Sequence, residues 1–362
     1  MNEINYSEKH KHFSYPSIGQ FKNVIRNVQH TARYIGMDEN GDPMYDNLAP
    51  LPTLKAVGTT KLHGTNAAAV IDQENDVVYF QSRENIITPT KDNAGFAAKM
   101  ATIQHILVNL IPAPEAKQII IYGEWCGGSI QKGVAINGLP KMFVIFDVKI
   151  ILRDEVLYLA KNILTQPDGY WVQAELVAKL KSHENGVFNI YDFPTWEVDI
   201  NFNKPELSQQ RLSEITLEIE AQCPVGKHFG NDGVGEGAVW KIVGETKYRD
   251  SGYWMKVKGE KHSVSKVKTL AAVDVEKIEN LRQFTETYVT DNRCHQSIQK
   301  LKEAGVKEIT RAHLGEFIRW INGDIIKEEL DTIIENGFEP KQLGGPIATS
   351  AKNWFFIHEN EL

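Results

Sequence analysis

The chain has 362 residues, of which 42% are apolar and 24% carry a charged side chain. This length and balance are typical of a globular protein of two ordinary domains and exclude disorder on a large scale. The formal net charge of −7 argues against a module that binds nucleic acid by overall positive charge, so a bound polyanion would need a local basic patch.

The three cysteines, Cys126, Cys223 and Cys294, are widely spaced along the chain. This spacing predicts reduced thiols rather than a disulfide framework or a structural zinc site. The polar first residues have no apolar stretch of signal-peptide length, and no apolar run is long enough to span a membrane. We therefore expect a cytoplasmic protein, of a bacterium or a virus-infected cell, without a membrane partner.

Residues 1–50 have a mixed pattern, and a β-rich pattern begins near residue 55. The predicted strands, each rich in Val, Ile or aromatic residues, are Ala67–Ile71, Val77–Phe80, Gln118–Trp125, Met142–Ile151, Gly233–Val243 and Gly252–Val257. The predicted helices of the same part are Ala94–Leu110, Glu175–Ser182 and Pro205–Ala221.

After about residue 265 the pattern becomes helical. Apolar residues recur at helical spacing over Val273–Val289, Arg293–Ala304, Arg311–Gly323 and Ile325–Asn336. The sequence therefore predicts an α+β protein, with a β-rich domain over residues 1–265 and a small, mostly helical C-terminal domain over residues 266–362.

A lysine followed by a glycine lies between two β-like runs, in the segment from Lys61 to Asn66. A lysine amine becomes a nucleophile where desolvation or nearby positive charge lowers its pKa, and glycine lets the backbone approach a ligand closely. Taken alone, a surface lysine before a glycine turn is the simpler interpretation of this segment.

Two carboxylates end runs of apolar or glycine-rich sequence. Glu124 ends an apolar run, and a buried carboxylate there would need a partner such as a ribose hydroxyl or a metal. Glu236 follows the glycine-rich stretch Asn231–Gly235 and has the oxygen ligands that Mg²⁺ prefers. The alternative interpretation of Glu124 is a strand-end residue in solvent, and that of Glu236 is an acidic residue in a hairpin loop.

An aromatic pair and a lysine pair complete the set. Phe143 and Phe146 alternate to opposite faces of one predicted strand, and either ring could stack on a purine or belong to the core. Lys256 and Lys258 share one face of another strand, where they either guard an exposed edge or converge on a bound polyanion.

The order of these patterns is more specific than any one of them, and together they cover roughly residues 55–260. They resemble the ordered motifs of the covalent nucleotidyltransferases, the superfamily of DNA ligases, RNA ligases and mRNA capping enzymes. The motifs are Lys61 with Gly64, Ser82–Arg83, Gly123–Glu124, Phe143–Asp147, Glu236–Gly237 and Lys256–Lys258. His63, where DNA ligases and capping enzymes usually carry Asp, and the helical tail resemble the RNA ligase 2 type known from phage T4.

The resemblance implies a nucleotidyltransferase (ATP-grasp-like ligase) domain of antiparallel sheets with flanking helices, and an ATP-dependent RNA ligase that uses Mg²⁺ (or Mn²⁺). Lys61 would attack ATP to form lysyl-AMP, the AMP would pass to an RNA 5′-phosphate, and a 3′-hydroxyl would complete the bond. The implied catalytic residues are Lys61, His63, Glu236, Lys256 and Lys258. Asn66, Arg83, Glu124 and Phe143 would join them in nucleotide binding, with Phe143 stacked on adenine and with Glu236 and Glu124 as metal-linked carboxylates.

Thr60 stands where relatives often carry Glu, so no side-chain contact to the base is expected from that position. The lysines Lys261, Lys266 and Lys268 would either touch RNA phosphates or form a solvated hinge. We expect a monomer whose partner is nicked or broken RNA, possibly duplex. The alternatives are a DNA ligase, a GTP-using capping enzyme and a non-catalytic RNA-binding relative.

Overall fold

The computed structural model describes residues 10–92, 94–130, 133–160, 167–258, 281–304, 306 and 308–359. The chain divides into two compact units, Met1–Gly259 and Glu260–Leu362. The predicted domain boundary at residue 265 and the lysines Lys261, Lys266 and Lys268 lie outside the described residues. Within the described ranges, no helix combines the length and apolar character needed to cross a membrane.

The described strands of the first unit are β1 (Tyr34–Met37), β2 (Pro43–Tyr45), β3 (Thr53–Lys61), β4 (Thr65–Asp72), β5 (Val77–Ser82), β6 (Ile86–Ile87), β7 (Ala116–Cys126), β8 (Met142–Leu152), β9 (Gly169–Trp171), β10 (Val187–Asn189), β11 (Thr195–Asn201), β12 (Gly237–Val243) and β13 (Trp254–Lys258). Its helices are α1 (Phe21–Arg33), α2 (Phe96–Thr102), α3 (Gln104–Leu110), α4 (Asp154–Ala160), α5 (Ala174–Val177), α6 (Glu206–Ala221) and α7 (Pro224–His228). Short 3₁₀ turns cover His183–Asn185, Ile190–Asp192, Thr246–Tyr248 and Ser251–Tyr253.

A large sheet forms the centre of this unit, in the strand order β10-β8-β7-β4-β5-β6, with β9 paired to β8. Its pairs are antiparallel except for the parallel pair of β8 and β10. Phe96, Met100 and Leu107 from α2 and α3 are buried in one core cluster with Ile121 and Phe143 of the sheet. One face of the large sheet is therefore closed by helices.

A smaller antiparallel sheet has the order β11-β3-β12-β13. Helix α6 packs against β11, β12 and β13, with Leu212, Ile215 and Ile219 fully buried. Strand β12 is central and has β3 on one side and β13 on the other. This order brings the ends of three strands together, although they are far apart in sequence.

The second unit is helical over its described residues: α8 (Leu281–Tyr288), α9 (Asp291–Glu303), a 3₁₀ turn at Arg311–His313, α10 (Leu314–Glu335) and α11 (Pro340–His358). Its core includes Phe284, Ile298, Phe317, Ile347 and Phe355. The α+β class is thus confirmed, with antiparallel sheets and flanking helices followed by a helical C-terminal unit. All three cysteines are free and buried.

A buried arginine organises the second unit. The side chain of Arg293 is 0% exposed, and its Nε lies 2.8 Å from Asp324 Oδ2. Its other nitrogens donate to the carbonyl of Tyr288 at 2.7 Å and reach Glu329 at 3.4 Å. A buried charge with this set of partners ties three parts of the bundle together.

Several helix predictions differ from the structure. The helix predicted over Ala94–Leu110 is two helices, because the chain leaves helical geometry at Ile103 (φ −124°, ψ 18°). The two helices predicted on either side of residue 324 are the single helix α10, which continues through Gly323 because Ile321 and Ile325 are both fully buried. Helix α1 was not predicted. Neither was α11, whose glycines and Pro346 obscure its helical spacing.

Candidate active site

Lys61 ends strand β3, and the strand register places it beside two other site residues. Lys61 lies opposite Gly237 on β12, and Gly237 lies opposite Lys258 on β13. Residues directly opposite one another in antiparallel strands point to the same face, so Lys61 and Lys258 flank one point on β12. Lys256, two residues before Lys258, shares that face.

Glu236 is the residue on which these side chains converge. Lys61 Nζ lies 2.6 Å from Glu236 Oε2, and Lys258 Nζ lies 3.5 Å from Oε1. His63 Nδ1 lies 3.2 Å from Oε2. Glu236 is 3% exposed, whereas the lysine and histidine side chains are about one-fifth exposed. The arrangement is one buried carboxylate facing three partly open cationic or polar groups.

The electrostatics of this cluster keep Glu236 ionised. Burial acts to raise the pKa of Glu236, but the charge of Lys61, the hydrogen bond with His63 and the charge of Lys258 outweigh it. The pKa of Glu236 therefore lies well below its usual value. The ionised carboxylate in turn holds the Lys61 amine in an ion pair.

Gly237 allows the three strands to come this close. Its φ of +144° is in the region that favours glycine, and an added Cβ would lie 2.2 Å from the carbonyl oxygen of Val257. Glycine is therefore required at position 237 for steric reasons. Glu236 beside it supplies the carboxylate.

Glu124 approaches the site from the large sheet. It lies opposite Asn66 on β4, so the two side chains share a face. Glu124 Oε1 accepts a hydrogen bond from the backbone N–H of Gly64 at 2.9 Å. Burial raises the pKa of Glu124 to about 7, with Glu236 adding to the rise and Lys61 opposing it. The backbone N–H of Gly64 thus holds a second carboxylate near the first.

Arg83 lies at the same end of the large sheet but outside this cluster. It follows Ser82, which is opposite Ala67 on β4. Its side chain is 46% exposed, and its Nε lies 3.7 Å from Glu84. Arg83 therefore follows β5 at the end of the sheet that holds Asn66 and Glu124, without a described contact to Lys61 or Glu236.

The prediction that Phe143 stacks on adenine is wrong. Phe143 is opposite Trp125, one residue along from Glu124, so it points to the other face of the sheet. Its ring is 0% exposed and lies 4.9 Å from the ring of Phe96 in the helix-covered core. Phe146, at a bulge in β8, is the partly exposed aromatic side chain on the Glu124 side.

Thr60 points away from the Lys61 cluster. It alternates to the opposite side of β3 from Lys61, and it is 3% exposed. Among the described residues its hydroxyl has no hydrogen-bond partner. The absence of Glu at this position therefore removes no side chain from the Lys61 cluster.

A charged pair that sequence analysis had not assigned to the site connects the two sheets. Lys241 lies on β12 four residues after Gly237 and so points to the same face as Lys61. Its Nζ lies 2.5 Å from Asp147 Oδ1 on β8 and 4.6 Å from the centre of the Trp254 ring. The aromatic-acid pattern at Phe146–Asp147 was the available signal, but no local pattern indicated its lysine partner.

Residues 54–258 match the family model described as RNA ligase. Because this match spans more than half of the chain, the protein belongs to the RNA ligase family, as the ordered motifs had predicted. A comparison with curated proteins found no match.

Three solved structures of Naegleria gruberi RNA ligase are similar to the chain. A mutant with ATP and Mn has 17% identity and a TM-score of 0.41, and a mutant with AMP and Mn has 17% and 0.40. The ligase with pyrophosphate has 16% and 0.37. Each match covers 68% of this chain and 56% of the other, so this chain spans little more than half the length of those proteins.

Proposed function

We propose that the protein is an ATP-dependent RNA ligase of the RNA ligase 2 type that works through a lysyl-AMP intermediate on Lys61. The observation that carries the proposal is the convergence of Lys61, His63 and Lys258 on Glu236 within 3.5 Å. A chance set of motif residues would not be expected to meet at one buried carboxylate. Family membership over residues 54–258 supports RNA as the substrate class.

In the first step the unprotonated Nζ of Lys61 attacks the α-phosphorus of ATP. A nitrogen–phosphorus bond forms, and the bond between the α-phosphorus and the oxygen that bridges to the β-phosphate breaks. Pyrophosphate leaves, and the attacking nitrogen gives up one proton to solvent. Lys256 and Lys258 lie on the same face and would stabilise the negative charge that develops on the phosphoryl oxygens. Glu236, whose Oε2 lies 2.6 Å from the Lys61 amine, orients it.

In the later steps the AMP passes to the 5′-phosphate of an RNA strand, and a 3′-hydroxyl then displaces AMP to seal the phosphodiester. Phosphoryl transfer of this kind depends chiefly on positioning and charge. His63 and Asn66 border the lysine and would act on the adenylylated end. Arg83, whose side chain is 46% exposed, would contact a phosphate or ribose oxygen.

A divalent cation, Mg²⁺ or Mn²⁺, fits the carboxylates present. The described residues contain no cluster of three or more metal-ligating side chains, and Mg²⁺ commonly uses one or two carboxylates together with substrate phosphates and water. Burial disfavours ionised Glu124, and a cation beside it would remove that penalty. Glu124 and Glu236 would hold the ion, which would neutralise charge on the triphosphate.

Label transfer from α-labelled ATP tests the proposal. Protein first treated with pyrophosphate, to strip bound AMP, should become labelled with ATP and not with GTP. Lys61→Arg should abolish the label, whereas Lys55→Arg, on the same strand in a surface pair with Glu197 at 2.7 Å, should keep it. Labelling from GTP would favour a capping enzyme, and no labelling would favour a non-catalytic RNA-binding protein.

The substrate proposal is a nick in duplex RNA, as in RNA repair, with the protein acting as a cytoplasmic monomer. Three buried free cysteines are in keeping with a reducing compartment. Sealing rates on nicked RNA duplexes, nicked DNA duplexes and single strands would rank the substrates. Light scattering of the protein with and without RNA would give its oligomeric state.

A further inference from the structure

The segment His10–Gln20, which we call the N-terminal strap, is bound to the large sheet by hydrogen bonds. The side chain of Gln81 on β5 accepts from the N–H of Phe13 at 3.0 Å and donates to its carbonyl at 2.6 Å. The hydroxyl of Tyr79 donates to the carbonyl of Lys11 at 2.7 Å. These contacts fix the strap on the sheet that carries Glu124.

The other end of the N-terminal strap is bound to the small sheet. The backbone N–H of Lys256 donates to the carbonyl of Gly19 at 2.9 Å, and Gly19 forms a parallel bridge with Met255. Helix α1 follows at once, and Asn27 donates to the carbonyl of Gly252 at 2.7 Å. One short segment therefore joins the sheet that carries Glu124 to the strand that carries Lys256 and Lys258.

Tyr15 lies at the middle of the N-terminal strap and contacts the pair that connects the sheets. Its hydroxyl donates to Asp147 Oδ2, while Asp147 Oδ1 faces Lys241 Nζ at 2.5 Å. The ring of Tyr15 lies 5.0 Å from that of Phe146 and 5.9 Å from that of Trp254. Burial, and then the charge of Asp147, raise the pKa of Tyr15 well above its usual value, so its hydroxyl remains a donor.

The contacts of Tyr15 with Asp147 and of Asp147 with Lys241 connect the N-terminal strap to β8 and β12. Asp147 is 5% exposed, and its carboxylate accepts hydrogen bonds from the hydroxyl of Tyr15 and the ammonium group of Lys241. Lys241 also lies 3.4 Å from the carbonyl of Phe146. Because Lys241 and Gly237 are on one strand, a shift of Lys241 would be transmitted to Glu236 and its partners.

We propose that Tyr15 is a positioning residue for AMP transfer to Lys61, acting through Asp147 and Lys241; this rests on the proposed function. Without the hydroxyl, Asp147 loses its neutral donor, and the Lys241 pair can rearrange. A misplacement of even 1 Å at a reacting group can cost about 100-fold in rate. We expect Tyr15→Phe to lower the maximal rate of lysyl-AMP formation about tenfold or more.

The test compares Tyr15→Phe with Tyr79→Phe in the full chain. Both changes remove one buried tyrosine hydroxyl that holds the N-terminal strap, but Tyr79 donates to a backbone carbonyl and does not touch Asp147. Single-turnover transfer of labelled AMP at saturating ATP gives the rate, and urea unfolding gives the stability. A structural role alone would make the two variants alike in both.

The expected result is a similar loss of stability in both variants, with a rate loss of about tenfold or more in Tyr15→Phe and less than about threefold in Tyr79→Phe. Equal rates in the two variants, or rates that follow stability, would overturn the role of Tyr15. Wild-type protein that takes up no label would instead overturn the proposed function, and the positioning role would fall with it.

Discussion

Replacing Glu236 with Gln is the sharpest perturbation of the site, because it keeps the shape of the side chain and removes its charge. Lys61, His63 and Lys258, which converge on it within 3.5 Å, would then lose the negative charge that Glu236 provides. Loss of one member of a buried, hydrogen-bonded charge cluster lowers the free energy of unfolding by about 3–5 kcal/mol. Because the lysines are partly exposed, we expect a loss of about 3 kcal/mol.

The change should also slow the chemical step. Without Glu236 the amine of Lys61 is no longer oriented, and removing one such electrostatic partner typically costs about 100- to 1,000-fold in rate. Single-turnover labelling with α-labelled ATP measures this rate. Glu197→Gln, which removes an exposed carboxylate paired with Lys55 on the same sheet, is the matched control and should label normally.

The pH dependence gives the same prediction a second test. The folded-state pKa of Glu236 is depressed, so its stabilisation is present above the unfolded pKa of about 4.3 and is lost as pH falls toward the folded pKa. The stability gap between wild type and Glu236→Gln should therefore be full at neutral pH and close in acid. Labelling within threefold of wild type, or a gap that persists unchanged in acid, would refute the reasoning.

Three further changes test other parts of the structure. Because the folded pKa of Glu124 is raised to about 7, its ionisation should cost stability as pH rises from about 4.3 to 7, and Glu124→Gln should remove up to about 3 kcal/mol of that fall in urea unfolding without metal. Gly237→Ala should destabilise the first unit by about 3 kcal/mol or more, because its Cβ would lie 2.2 Å from a carbonyl oxygen. Gly244→Ala, where nothing lies within 4 Å of the added Cβ, should cost about 1 kcal/mol. Calorimetric unfolding of the two variants measures both losses. Arg293→Met should destabilise the helical unit by about 3–5 kcal/mol, measured by hydrogen exchange of its amides, because Asp324 and Glu329 lose their contacts with the guanidinium group.

Each of these has an outcome that contradicts it. A parallel pH profile for wild type and the Glu124 variant would show that this carboxylate is not held in a penalising environment. Equal losses at Gly237 and Gly244 would remove the steric argument for the glycine beside Glu236. Unchanged exchange in the Arg293 variant would show that the buried ion pairs contribute no net stability.

The polar part of the site could be predicted because it depends on short, ordered patterns. Lys61, Glu236 and Lys258 each end or adjoin a strand, and antiparallel pairing brings such ends together once the strand order is known. The sequence patterns did not contain that order, so the convergence on Glu236 is visible only in the strand register.

The aromatic part could not be predicted as well. Alternation separates Phe143 from Phe146, but it does not say which face is covered by helices, and the core took Phe143 because α2 lies over it. The pair of Lys241 and Asp147 joins residues that are 94 positions apart. The N-terminal strap is held by backbone groups and by side chains of distant strands, which leave no periodic pattern in residues 10–20.

The central claim is that Lys61 carries AMP, and mapping the adduct tests it most directly. Protein stripped with pyrophosphate would be incubated with ATP and Mg²⁺, digested, and its peptides analysed by mass spectrometry. We expect one AMP adduct, on Lys61, that disappears when nicked RNA with a 3′-hydroxyl is added. An adduct on another residue, or none in protein whose fold is intact, would contradict it.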